Sequence, residues 1–248
     1  MSSIWTTARG PRHIRPHRAI AWRVIEGQHR VPTRKLVDDL EEQELLEGLL
    51  DRHKPAPPSP EHAHLHYLLY TPFRYPPLRH GSRFGTRAEP SLWYGAVDVD
   101  TALAERAYYR LLFLAGTTAD LEPLLSDETA FSVPIETPRF VDLAAAPFTR
   151  AARAISAPDD YRASQALGRA MRAANVLVFA YPSARTQTLG ICLGLFAPAF
   201  AAPQPTTYEG YKCRAARTGV ELANLAGRVI RFDRAQFLVD GKLPAPAA

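Results

Sequence analysis

From residue 65 to residue 232 the chain is cut into strand-length apolar runs that do not alternate regularly with helices, and this narrows what it can fold into more than any other feature. The runs are 65–73 (LHYLLYTPF), 91–96 (SLWYGA), 130–135, 139–144, 176–180 (VLVFA), 189–196, 208–215 and 228–232. Helical spacing after residue 65 is confined to two segments, 100–114 and 161–174. Strands are thus many and helices few. The pattern predicts an α+β domain with a mainly antiparallel or mixed sheet and a few flanking helices. No internal repeat is visible.

Ahead of this core, residues 1–18 read as a basic arm and 20–25 (IAWRVI) as a short strand or turn. A helix is expected from Thr33, which can cap it, with Leu36, Leu40, Leu46, Leu49 and Leu50 forming its apolar stripe, and it ends before Pro55. The PAPPSP run (55–60) cannot continue a helix and reads as an extended connector. With 248 residues this is most naturally one domain carrying extensions: 1–60 as arm, helix and connector, 61–240 as the domain, and 241–248 as a tail.

The net charge of +5 is unevenly placed. Residues 1–35 hold eight Lys or Arg against the single Glu26, or +7, so the remaining 22 cations meet 24 acids, or −2. The body is therefore not a basic protein, and nucleic-acid binding would rest on the arm. No apolar run of about 18 residues is present, so a spanning helix is not expected, and the basic N-terminus is not followed by the apolar stretch of a secretory signal. Cys192 and Cys213 show neither metal-ligand nor disulfide spacing, which suits a reducing, cytoplasmic setting.

Three clusters carry possible chemistry. Glu105, in DTALAERAYYRLLFL, falls at helical spacing between Ala102 and Tyr109, while Arg106 and Arg110 lie along another edge. A carboxylate among small and aromatic residues is costly without a partner, so it is a partly exposed glutamate, a structural ion pair, or a carboxylate aimed into a cleft and able to stabilise developing positive charge. The loop before it holds Arg74, Tyr75, Pro76, Pro77, Gly81, Ser82, Arg83, Phe84 and Gly85. Its arginines fit a diphosphate as well as they fit an ordinary surface loop. Third, Tyr181, Pro182, Ser183, Ala184 and Arg185 follow the VLVFA run. That is an ordinary polar turn or a ligand-holding one, and it is not a GxSxG nucleophile elbow. His62, His64 and His66 alternate as on one strand face but lack a carboxylate or Cys partner, so no metal is expected.

Taken together, FRYPP with Arg74, GSRFG with Arg83, LWYGA with Tyr94, TALAE with Glu105 and YPSAR with Ser183 resemble, in order and spacing, the RES-domain family. The resemblance covers about residues 65–233, most of the 61–240 unit, and the WRVI…DDLEEQELLEGLLDRHKP leader is similar to that of a longer subfamily. It implies a fold similar to bacterial ADP-ribosyltransferases, with an N-terminal helical extension and NAD, as substrate, in a cleft. It further implies an NAD-consuming toxin that breaks the nicotinamide–ribose bond and passes the ADP-ribosyl group to protein, phosphate or water. The partner implied is an Xre-type antitoxin, through which nucleic acid would be met only indirectly, and no membrane is implied. Glu105, Arg74 and Ser183 would carry the reaction. Arg74, Tyr75, Arg83, Tyr94 and Ser183 would hold NAD, and Ser183 is not expected to act as a nucleophile.

Overall fold

A computed structural model describes residues 3–27, 42, 46, 49, 62, 64–119, 121 and 123–245. The helix expected from Thr33 and the 55–60 connector fall outside the described residues, apart from three isolated positions in the former. The protein is α+β, with eight strands in one mixed sheet and five α-helices among the described residues.

The strands are β1 (Arg15–Glu26), β2 (Trp93–Ala96), β3 (Leu124–Asp142), β4 (Val178–Pro182), β5 (Ile191–Leu195), β6 (Thr207–Ala216), β7 (Gly219–Asn224) and β8 (Val229–Asp233). Their order is β1-β2-β5-β4-β3-β6-β7-β8, and β1 also pairs with β3. Five strands therefore close on themselves as a ring, β1-β2-β5-β4-β3, while β6, β7 and β8 run outward from β3 as an antiparallel meander. Among the described residues only the β3–β4 pairing is parallel. Strands β4 and β5 are covered on both faces: Val178, Ala180, Leu193 and Leu195 enter one apolar cluster, and Phe179, Tyr181 and Cys192 another. This explains the continuous apolar character of VLVFA.

Strand β3 absorbs two runs that read as separate strands, 130–135 and 139–144. Pro138 suggests a break because it cannot donate to a ladder. The register of β3 against β1 slips between Arg15↔Phe140 and His17↔Thr137, and this bulge accommodates the proline within one continuous strand. Strand β7 carries no run long enough to be expected from sequence; Val220 and Leu222 alternate inward while its other residues are polar or small.

The helices are α1 (Ile4–Thr7), α2 (Tyr67–Arg74), α3 (Val99–Ala115), α4 (Ala152–Ile155) and α5 (Arg162–Ala173). Residues 65–73, expected as a strand, are mostly helix α2. His66 Nδ1 accepts from the Leu68 amide at 3.3 Å, and Leu69 is fully buried with Leu68, Tyr70 and Phe73 packed beside it. The N-cap hydrogen bond and one-sided burial outweigh the strand propensity of the aromatic residues. Because His66 is a helix cap, the expected strand-face alternation of His62, His64 and His66 is not found.

The first residues are also not a detached arm. Trp5 is buried against Phe148, residues 10–13 form a 3-10 turn, and Arg15 and Arg18 begin β1, where they meet Asp142 at 3.9 Å and Glu136 at 2.5 Å. Among the described residues no helix is long and apolar enough to cross a membrane.

Candidate active site

Helix α3 starts at Asp98, whose carboxylate accepts from the Thr101 amide at 2.7 Å and hydroxyl at 2.9 Å. An N-cap of this kind contributes about 1 kcal/mol and sets the helix's starting point. The buried side of α3, with Leu103, Ala107, Leu111 and Leu114, packs on β6 and β7. Its rotational setting leaves Ala102, Glu105, Arg106 and Tyr109 along a cleft of about 400 Å³. Strand residues Tyr94, Gly95, Tyr181 and Cys192 also line it, as does the loop carrying Ser82 and Arg83, and Tyr161 and Arg185 contribute as well. This volume falls within the range of small-molecule sites.

Glu105 is the only carboxylate lining the cleft among the described residues. Its Oε1 accepts from Ser183 Oγ at 2.6 Å and from Cys192 Sγ at 3.4 Å. Ser183 Oγ accepts in turn from the Arg185 amide at 3.0 Å, which directs the hydroxyl proton toward Glu105. Ser183 is thus a carboxylate anchor in this structure. Burial pushes the Cys192 thiol well above its ordinary range, and the neighbouring Glu105 charge adds to this, so Cys192 is a neutral donor here.

Among the described residues, four arginines line the cleft with that carboxylate: Arg23, Arg83, Arg185 and Arg106, the last beside Glu105 on α3. Arg106 is neutralised by Glu128, with Nε to Oε2 at 2.8 Å, and Arg110 joins the same carboxylate. Glu128 is fully enclosed, and Glu26 lies 2.9 Å from Arg110, so this network ties α3 to β1 and β3. Arg83 donates to the Ala157 carbonyl at 2.6 Å and lies 4.5 Å over the Tyr161 ring. Burial works against its charge, but Tyr161, Tyr181 and Glu105 more than offset this and raise its pKa. Arg185 lies 3.6 Å over the Tyr108 ring and donates to the Pro158 carbonyl at 2.9 Å, while its buried Nη1 has no partner among the described residues. Tyr108 itself donates to the Pro244 carbonyl, which fastens the C-terminal segment beneath this corner.

The Arg83 loop is held from below. Gly81 has φ +72°, a left-handed conformation suited to glycine. Gln165 on α5 donates to the Ser82 carbonyl at 3.1 Å, and Arg172 donates to that of Pro90 at 2.7 Å. Gly168 lets α5 approach so closely that any Cβ there would fall on the Phe84 carbonyl oxygen. Tyr94 hydroxyl pairs with Ser82 Oγ at 2.9 Å and accepts from the Phe84 amide at 3.1 Å. Burial pushes its pKa up to about 12, so the phenol stays neutral.

Of the residues singled out from sequence, Glu105, Arg83 and Tyr94 line this cleft, and Ser183 reaches it through Glu105. Arg74 and Tyr75 are not among its lining residues: Arg74 ends α2, and Tyr75 is exposed, its carbonyl accepting from Ser91 Oγ at 2.8 Å. Sequence reasoning did not single out Arg23, Tyr161 or Cys192 as site residues. For Arg23 a signal existed, since it is a cation inside the apolar run IAWRVI.

A family model, the RES domain, matches residues 59–213, more than half of the chain. The chain belongs to the RES-domain family. It is also similar to a crystal structure of the M. tuberculosis MbcT-MbcA toxin-antitoxin complex, at 18% sequence identity and a TM-score of 0.44 over 94% of each chain. No curated protein matches it.

Proposed function

We propose that this protein is the toxin of a toxin–antitoxin pair and cleaves NAD at the nicotinamide–ribose bond, passing the ADP-ribosyl group to water, phosphate or a protein side chain. The observation that carries this reading is a cleft in which, among the described residues, one carboxylate, fixed by Ser183 and Cys192, stands with four arginines. NAD has the matching distribution: a diphosphate for the cations, and a ribose that becomes oxocarbenium-like as neutral nicotinamide departs. A carboxylate whose position is set beforehand stabilises that charge where it develops, chiefly in the transition state.

Glu105 would lie beside the ribose and stabilise the positive charge at its anomeric carbon. Arg83 would hold a phosphoryl group in fork geometry and so orient the bond to be broken. Arg74 and Tyr75, outside the cleft lining, are left without a direct part in catalysis or in holding NAD. Tyr94 would shape the ribose end and support the Arg83 loop through Ser82 and Phe84. Ser183 would position Glu105. The partner would be an antitoxin that covers the cleft, in keeping with the resemblance to Xre-paired toxins. Nucleic-acid binding through the N-terminal cations loses ground, because Arg15 and Arg18 already pair with acids of β3.

The test is to incubate the purified chain with NAD labelled on the adenylate, with and without phosphate and cell lysate. Release of nicotinamide and the destination of the label are then followed. Wild-type protein that leaves NAD intact at high concentration, and is harmless when expressed without a partner, refutes the proposal.

A further inference from the structure

Arg23 is the one cleft arginine supplied by β1, ahead of the segment that the family model matches. Its Nη1 donates to the Tyr94 carbonyl at 2.9 Å and its guanidinium lies 5.3 Å over the Trp93 ring. Among the described residues no carboxylate pairs with it. The nearby acids, Glu128 and Glu26, are engaged by Arg106 and Arg110. Arg23 therefore feels a like charge from Arg106 with no counter-charge of its own, and burial together with that repulsion pulls its pKa down to about 10. A half-buried cation without a counter-charge is costly, and an anion beside it would remove the cost.

We infer that Arg23 binds a phosphoryl group of the substrate, so that the diphosphate is held from two sides, by Arg23 of β1 and by Arg83 of the loop. This rests on the NAD-cleaving reading for the identity of the ligand, but not for the presence of the anion site. The hydrogen bond to Tyr94 uses one of five guanidinium N–H groups, and no other donor of Arg23 has a partner among the described residues. The Trp93 face and the Tyr94 carbonyl fix the plane of the fork, which is what bidentate recognition of a phosphate requires. The ring closure of the sheet brings this about, because it sets β1 beside β2 through Trp22↔Ala96. A chain lacking β1 would have the Arg83 half of the clamp only.

The experiment measures binding of ADP, adenosine and inorganic phosphate to the full chain by calorimetry, for wild type, Arg23→Met and Arg23→Lys. Methionine keeps the packing on Trp93 without charge, and lysine keeps the charge without the fork. Removing a charge-assisted contact should weaken ADP binding by about tenfold or more in Arg23→Met and by less in Arg23→Lys, with adenosine unchanged. Weakening of inorganic phosphate with ADP unchanged would assign the site to a free anion and overturn the diphosphate clamp. Unchanged ADP affinity, or equal loss of ADP and adenosine, would make Arg23 a packing residue and also overturn it. Nicotinamide release is recorded separately: ADP binding that depends on Arg23 in a wild-type protein unable to cleave NAD leaves the clamp standing and refutes the proposed function instead.

Discussion

Glu105→Gln separates the proposed chemistry from the architecture with a nearly isosteric change. The glutamine carbonyl can still accept from Ser183 Oγ, now at 2.6 Å from Glu105 Oε1, and from Cys192, so the local hydrogen bonding survives. What disappears is the negative charge in a cleft with four arginines. A carboxylate about 4 Å from a developing unit charge stabilises it by about 4 kcal/mol at an effective dielectric constant of about 20. That corresponds to roughly 10³-fold in rate, in line with the ~10²–10³ lost when one preorganised charge-stabilising group is removed from other active sites. Nicotinamide release should therefore fall by two to three orders of magnitude, roughly, while affinity for ADP changes little or rises slightly as the cleft becomes more positive. The melting temperature should stay within a few degrees of wild type. A folded Glu105→Gln protein that releases nicotinamide at near wild-type rate would refute the role of this carboxylate, and parallel loss of stability and activity would make it structural.

Four further outcomes follow from the packing. Arg83→Lys loses the fork and the contact with the Tyr161 ring, so ADP affinity and nicotinamide release should both drop by roughly tenfold even at low salt, as read by calorimetry and product assay. Glu128→Gln leaves Arg106 and Arg110 without their shared buried carboxylate and should cost roughly 3–5 kcal/mol, seen as a melting temperature lower by roughly 10 °C. Gly168→Ala favours an isolated helix, yet it places a methyl on the Phe84 carbonyl. Thermal melting should show net destabilisation and the product assay reduced activity, through displacement of the Arg83 loop. His17 stacks on Phe140 and burial lowers its pKa from 6.5, so its contribution to stability should be complete above about pH 6.5 and decline as pH falls through the lowered value. Denaturation of wild type and His17→Leu across pH 5 to 7.5, roughly, should show that difference shrinking toward the acid side.

The α+β class and most strand positions were legible because β4, β5 and β6 are short apolar or alternating runs bounded by turn residues, and periodicity reports such elements directly. Segments where two local signals competed were less legible. Pro138 marks a break for any reader of local chemistry, and only the slip of β3 against β1 shows that a bulge takes it in. Residues 67–74 have strand composition, but the His66 cap and the burial of Leu69 are decided by their neighbours. The candidate site divides in the same way. The order of Arg83, Tyr94, Glu105 and Ser183 could be read along the chain, whereas of FRYPP only Pro76 and Pro77 line the cleft, Arg74 ending a helix before them.

A cation inside IAWRVI marks Arg23 as unusual, but its place in the cleft is not legible along the chain, since it stands 60 residues before Arg83 and meets the cleft because β1 closes the strand ring against β2 and β3. Closure also explains why a cation is tolerated in that strand. The apolar run IAWRVI keeps Ala21 in the core, while Arg23 lies over Trp93 and opens onto the cleft. A charge that is a liability for packing β1 is thereby placed where a phosphate would neutralise it, so ligand binding and closure of the ring should reinforce each other. Saturating ADP should accordingly raise the melting temperature of wild type more than that of Arg23→Met, by an amount set by their ratio of affinities. Equal ADP-induced shifts in the two proteins would show that the anion and the strand ring are uncoupled.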